Sequence, residues 1–169
     1  RLPYAYRLEL ERRHAAARSA SLQGLWLLAE GYRRLRQASF DPSRLQFPQG
    51  GKPLLQGGPQ FSVSHSTRRV AVALTERHAL GLDLEEVGVH GRARAELERW
   101  TSVEAALKAL GTGLRRAPQV RLAPDLATAE LAGVVVQLRR VDLAPDCVTT
   151  LAMREPMGSV FVEEVEGRG

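Results

Sequence analysis

Asp83 and Glu85 stand two residues apart in Gly81-Leu82-Asp83-Leu84-Glu85. In a β-strand, residues i and i+2 share a face about 7 Å apart, so both carboxylates point one way while Leu82 and Leu84 point the other. Two carboxylates on one face can hold a hard cation such as Mg2+ through oxygen. The same alternation also describes an amphipathic strand with a solvated acidic face. Glu104 and Lys108 follow in Trp100-Thr101-Ser102-Val103-Glu104-Ala105-Ala106-Leu107-Lys108. Thr101 and Glu104 have the spacing of a capping box, and Glu104 and Lys108 are a favourable i,i+4 surface pair. The chemical alternative makes Glu104 a third carboxylate or a base and Lys108 the neutraliser of a phosphate. Gly50-Gly51-Lys52-Pro53 lacks the spacing and the Ser/Thr of a Walker loop, so Lys52 is either an exposed turn residue or a phosphate contact. Ser64-His65-Ser66 has neither an evident acid partner nor a nucleophile elbow. It reads as a polar turn, or as a His65 that donates to a bound phosphate. Arg7, Arg12, Arg13 and Arg18 form a solvated face or steer a polyanionic ligand.

The elements that must position these residues follow from periodicity. Residues 2–10 fit a strand or a helix lead-in equally well. Apolar positions Leu22, Leu25, Trp26, Leu28, Ala29, Tyr32 and Leu35 predict a helix over 20–37, with Arg33, Arg34 and Arg36 suited to its C-terminal dipole. Residues 38–60 are dense in Pro and Gly and predict a loop. Strands are predicted at 61–64, 69–75 and 79–85, the last two joined as a hairpin through Glu76-Arg77-His78. A helix is predicted over 92–110 with a break near Trp100, stopped by Gly111 and Gly113. Residues 114–128 read as irregular, and three further strands are predicted at 130–141, 147–154 and 159–165. The order is helix then three strands, twice, which implies two α+β halves meeting near residues 86–91.

Composition bounds the rest. The 169 residues suffice for one sizeable domain or two small halves sharing a core. No apolar run approaches the roughly 18 residues of a membrane-spanning helix, and no basic-then-apolar leader opens the chain. A start at Arg1 rather than Met fits residues missing upstream. The single cysteine, Cys147, excludes an internal disulfide and a thiolate metal cluster; a cytoplasmic protein is expected. His14, His65, His78 and His90 have no zinc-like spacing. The net charge of +5 suits a nucleic acid, a phosphorylated cofactor or an acidic protein as partner. Nucleic acid is disfavoured, because aromatics make up only 5% of the chain and do not interleave with the arginines. Of the 24 basic residues only Lys52 and Lys108 are lysine. A GC-rich genome accounts for the bias, but a compact, mobile ammonium is also a reason for lysine to persist.

Taken together and in order, GKP at 51–53, SHS at 64–66, GLDLE at 81–85 and WTSVEAALKALGTG at 100–113 resemble the Sfp-type 4′-phosphopantetheinyl transferases. That family's pattern runs GKP, SHS, G-[IVL]-D-x-E and W-[TS]-x-K-E-A-x-x-K-x-x-G-x-G. The resemblance covers roughly residues 10–113. It implies a pseudo-twofold pair of α+β halves, residues 1–88 and 89–169, with the active site between them. It implies transfer of 4′-phosphopantetheine from coenzyme A to a serine of an apo acyl or peptidyl carrier protein, releasing adenosine 3′,5′-bisphosphate. Asp83, Glu85 and Glu104 would hold Mg2+, or Mn2+, against the coenzyme A pyrophosphate. Glu104 would also be the base for the carrier serine, and Lys108 would stabilise charge as the pyrophosphate breaks. Lys52, Ser64, His65 and one of Arg12, Arg13 or Arg18 would bind the nucleotide's phosphates. A monomer with no membrane contact is expected. Val103 stands where the family usually has Lys, and only 14 residues separate Glu85 from Trp100, where relatives usually have a longer segment. The competing expectation, from a different class, is a non-catalytic basic module that binds coenzyme A, nucleic acid or an acidic protein.

Overall fold

In the computed structural model the described residues are 2, 4–11, 14–48 and 52–165. Helices α1 (Tyr4–Glu11) and α2 (Ala15–Arg36) come first. The ambiguous opening segment is thus helical, and α2 begins five residues before the expected start. His14 explains that start: its Nδ1 accepts a hydrogen bond from the Ala17 N–H at 3.3 Å, capping a donor that the helix cannot pair. The Gly/Pro-rich stretch holds two short paired strands, β1 (Leu45–Gln46) and β2 (Leu54–Leu55). Next come β3 (Gln60–His65), β4 (Val70–Thr75) and β5 (Leu80–Glu86).

The expected hairpin between 69–75 and 79–85 does not form. β4 pairs antiparallel with β3 instead, from Gln60 opposite Thr75 to His65 opposite Val70. β5 leaves for a second sheet of order β5-β9-β8-β7-β6. The reason lies in the faces of β3 and β4. Phe61, Val63, Val72 and Leu74 pack on α2 with Leu28 and Tyr32. The centre of the opposite face carries the small residues Ser62, Ser64, Ala71 and Ala73, and β5 lies against that face. Leu80 and Leu82 of β5 pack there with Ala71, Ala73 and Leu151.

The third helix, α3 (Arg94–Ala109), runs unbroken through Trp100. Its N-terminus lies earlier than the Thr101–Glu104 spacing suggested: the Glu96 carboxylate accepts from the Ala93 N–H at 3.2 Å, so Thr101 and Glu104 sit mid-helix and form no capping box. Instead the Thr101 hydroxyl meets that of Thr150 at 2.9 Å in the core. Then follow β6 (Arg121–Leu122), β7 (Thr128–Leu131), β8 (Val134–Arg140) and β9 (Cys147–Met153). The expected strand 130–141 is a hairpin, because Ala132 and Gly133 both take positive φ, 52° and 78°, and reverse the chain. The expected strand at 159–165 is not one. It pairs with nothing in a ladder, Phe161 is 93% exposed, and alternation alone does not supply a partner edge.

α3 packs across β5, β9 and β8, and its Ala105, Ala106 and Ala109 are almost wholly buried against Ala129, Val136, Leu138 and Ala152. The architecture is a mixed α+β fold with antiparallel sheets, as the composition of elements predicted. No helix among the described residues is long and apolar enough to cross a membrane.

Candidate metal centre

β5 is the element on which the site is built. In an antiparallel strand the N–H and C=O of one residue point to the same edge. Gly81, Asp83 and Glu85 therefore pair with Ala152, Thr150 and Val148 of β9, while Leu80, Leu82 and Leu84 present their backbone groups to the outer edge. Side chains close that edge. Ser62 Oγ accepts from the Leu82 N–H at 3.0 Å, and Ser64 Oγ accepts from the Leu84 N–H at 3.1 Å. Lys52 Nζ donates to the Leu80 carbonyl at 2.6 Å, and Lys108 Nζ to the Leu82 carbonyl at 3.0 Å. Both lysines of the chain thus serve one strand edge. A buried edge with unpaired groups would cost about 1–3 kcal/mol for each.

Gly81 decides how closely α3 crosses β5. A Cβ there would lie 2.6 Å from Ala109 N and closer still to the Ala105 carbonyl oxygen, so only glycine admits the helix backbone. Thr101, Glu104, Ala105 and Lys108 share one face of α3 by their i, i+3, i+4, i+7 spacing. That face meets the face of β5 bearing Asp83 and Glu85. Oxygen atoms of Asp83, Glu85 and Glu104 come within 4.8 Å of one another, the group of this kind found among the described residues.

Asp83 is 3% exposed, which contradicts a solvated acidic face at this position. Its Oδ1 accepts from Lys108 Nζ at 2.6 Å and from Ser64 Oγ at 2.9 Å. Its Oδ2 is buried with no hydrogen-bond partner. A buried carboxylate oxygen without a partner, on a residue grouped with two more carboxylates, fits a hard divalent cation with oxygen ligands. Glu85 is half-buried. Glu104 lies 3.9 Å from Lys108 Nζ. Burial first, and then the negative charge of Asp83, push the Glu104 carboxyl up to about 7, against the opposing pull of Lys108. Burial, with Lys108 adding repulsion, lowers the Lys52 ammonium to about 8.

Other expected site residues fall differently. His65 ends β3 with an exposed ring. Arg18 sits on an exposed turn of α2. Arg12 and Arg13 lie outside the described residues. Two functional positions escaped the sequence reading. Ser62 matches Ser64 in capping the β5 edge, and the Phe61-Ser62-Val63-Ser64 alternation was the available signal. Glu86 is the other: it sits on the apolar face of β5, 1% exposed, a carboxylate in register with Leu80, Leu82 and Leu84. It accepts from the Ser66 hydroxyl, from the Arg68 N–H at 2.7 Å and from Arg68 Nε at 2.7 Å. Ser66 is thereby occupied within the protein.

No protein-family model and no curated protein matches this chain.

Proposed function

We propose that this protein transfers 4′-phosphopantetheine from coenzyme A to a serine of an apo acyl or peptidyl carrier protein, leaving adenosine 3′,5′-bisphosphate. One observation carries the reading: three carboxylates from two elements come together, one of them Asp83 with a buried unpartnered oxygen, and the ammonium of Lys108 lies beside them. The four ordered motifs that resemble the Sfp-type transferases support it independently. In this reading the chain is a pseudo-twofold pair of halves, residues 1–88 and 89–169, acting as a cytoplasmic monomer.

Asp83, Glu85 and Glu104 would hold Mg2+ or Mn2+. The cation supplies charge neutralisation for phosphate oxygens and polarises the phosphorus under attack. The protein's own residues do the rest. Lys108, already 2.6 Å from Asp83 Oδ1, offers its positive charge to the bridging oxygen as the phosphoanhydride breaks. Glu104, beside Asp83 and Lys108, would accept the proton of the carrier serine. Lys52, whose Nζ donates to the Leu80 carbonyl at 2.6 Å, and His65, exposed at the end of β3, would bind the nucleotide's phosphates, with Arg18 or a neighbouring arginine. The +5 net charge draws the acidic surface of a carrier.

The test is intact mass spectrometry of several apo carrier proteins incubated with the protein, coenzyme A and Mg2+. We expect the mass gain of one phosphopantetheine on at least one carrier, and none with Glu104→Ala. A basic binding module without catalysis would instead bind coenzyme A and leave every carrier at its apo mass.

A further inference from the structure

The Ser64 hydroxyl has one proton to donate and two lone pairs to accept with. All three are in use. It donates to Asp83 Oδ1 at 2.9 Å, accepts from the Leu84 N–H at 3.1 Å, and accepts from Lys108 Nζ at 3.3 Å. The residue is 5% exposed. A nucleotide phosphate arriving here would find a hydroxyl with nothing left to give. Asp83, in turn, has its Oδ1 held by two donors and its Oδ2 held by none.

We infer that Ser64 is a positioning residue for the metal centre and not a nucleotide ligand: with Lys108 it holds Asp83 Oδ1, which fixes the carboxylate and leaves Oδ2 as the oxygen free for a cation shared with Glu85 and Glu104. The inference rests on the metal centre of the proposed function and deepens it. Two features support the assignment. First, among the described residues Ser64 is the one group that bonds both Asp83 and Lys108 from a different element, so it bears on their separation as well as on the carboxylate's rotation. Outer-shell partners of this kind typically change metal affinity by about 10- to 100-fold when removed. Second, the strand contains its own control. Ser62 Oγ caps the Leu82 N–H at 3.0 Å on the same β5 edge as Ser64 caps Leu84. Ser62 has no bond to a carboxylate of the centre among the described residues. Loss of Ser62 removes an edge cap only, whereas loss of Ser64 removes an edge cap and the carboxylate's anchor.

The experiment measures Mn2+ binding by the electron paramagnetic resonance signal of free and bound Mn2+, in the absence of coenzyme A and carrier. The parent, Ser64→Ala, Ser64→Thr and Ser62→Ala are compared. Binding of adenosine 3′,5′-bisphosphate is measured beside it by calorimetry in EDTA. We expect Ser64→Ala to weaken Mn2+ by about 10-fold or more. Ser64→Thr, which restores the hydroxyl, recovers most of that loss, and Ser62→Ala stays near the parent. Metal-free nucleotide affinity is unchanged in all of them. If alanine does not fold, Ser64→Cys keeps the volume with only a weak donor and is expected to lose Mn2+ affinity in the same way. Equal Mn2+ affinity in parent and Ser64 variants overturns the inference, as does an equal loss in Ser62→Ala. A fall in metal-free nucleotide affinity on Ser64→Ala also overturns it, returning Ser64 to the nucleotide. No Mn2+ binding by the parent is a separate result: it removes the metal centre, and this inference with it.

Discussion

At the scale of single residues, the centre is a case of charges held together against their own repulsion. Three carboxylates crowd within reach of one cation, and among the described residues Lys108 supplies the only positive charge bonded to Asp83. One consequence is measurable without any substrate. Glu104 titrates near 7 in the folded chain against an ordinary 4.5 when unfolded. Between those values the folded state binds the extra proton, so stability falls as pH rises through that window. In EDTA, Glu104→Gln should therefore flatten the slope of melting temperature between about pH 4.5 and 7. It should make the protein more stable than its parent at pH 8, by about 1–2 kcal/mol once solvent screening is allowed for. A variant less stable than the parent at pH 8 would show that the carboxylates are not in conflict. Saturating Mg2+ should erase the difference, since the cation replaces the proton as the neutralising partner.

At the scale of elements, the site exists because one helix crosses one strand at backbone contact. Gly81 and the alanines of α3 bring β5 and α3 together; the GLD spacing then puts Asp83 one residue pair along from that crossing. Gly81→Ala forces the helix outward, since its Cβ would fall against backbone and not against a flexible side chain. We expect a loss of about 1–3 kcal/mol or more in urea unfolding. Mn2+ affinity should fall by more than the stability loss explains, because Glu104 and Lys108 retreat with α3. A Gly81→Ala protein that melts lower yet binds Mn2+ as its parent does would separate the crossing from the site. The serine-capped edge of β5 belongs to this scale too. Small residues at Ser62, Ser64, Ala71 and Ala73 allow the hairpin to lie close. Hydroxyls and ammoniums then replace the missing strand ladder.

At the scale of the whole molecule, Glu86 joins parts distant in sequence. It anchors Ser66 and Arg68 of the β3–β4 turn, and Arg68 and Arg69 reach Asp146 before β9 at 3.1 and 3.0 Å. Burial opposes its charge, but the hydrogen bonds from Ser66 and Arg68 outweigh burial and hold the carboxyl down at about 2. Its stabilising contribution is therefore complete above the ordinary value of 4.5 and is lost as pH falls from there toward 2. Glu86→Gln should lower the melting temperature at pH 7. It should also shed the part of the acid-side decline that the parent shows below pH 4.5, read by circular dichroism across pH 2–7. An unchanged acid limb would mean that other carboxylates govern acid unfolding.

How far the sequence alone reached is clear from particular residues. The alternation of 61–64, 69–75 and 79–85 located β3, β4 and β5 to within a residue or so, because successive side chains point to opposite faces, and faces that meet different surroundings write period two into the residues. The same text placed Asp83 and Glu85 on one face and Glu104 and Lys108 one turn apart. It could not say which strand pairs with which: β4 and β5 are separated by a turn-sized gap, yet β5 bonds to β9, nearly seventy residues on. Pairing depends on which edges and faces remain free after every other strand has docked, and local period carries no record of that. For the same reason 159–165 alternates without joining a sheet. Residue type and spacing determined which groups could do chemistry. Only the tertiary structure decided that β5 and α3 touch at Gly81, that Asp83 is buried with one oxygen unpartnered, and that Ser64 is spent on holding it, because these depend on distances between segments that no spacing along the chain encodes.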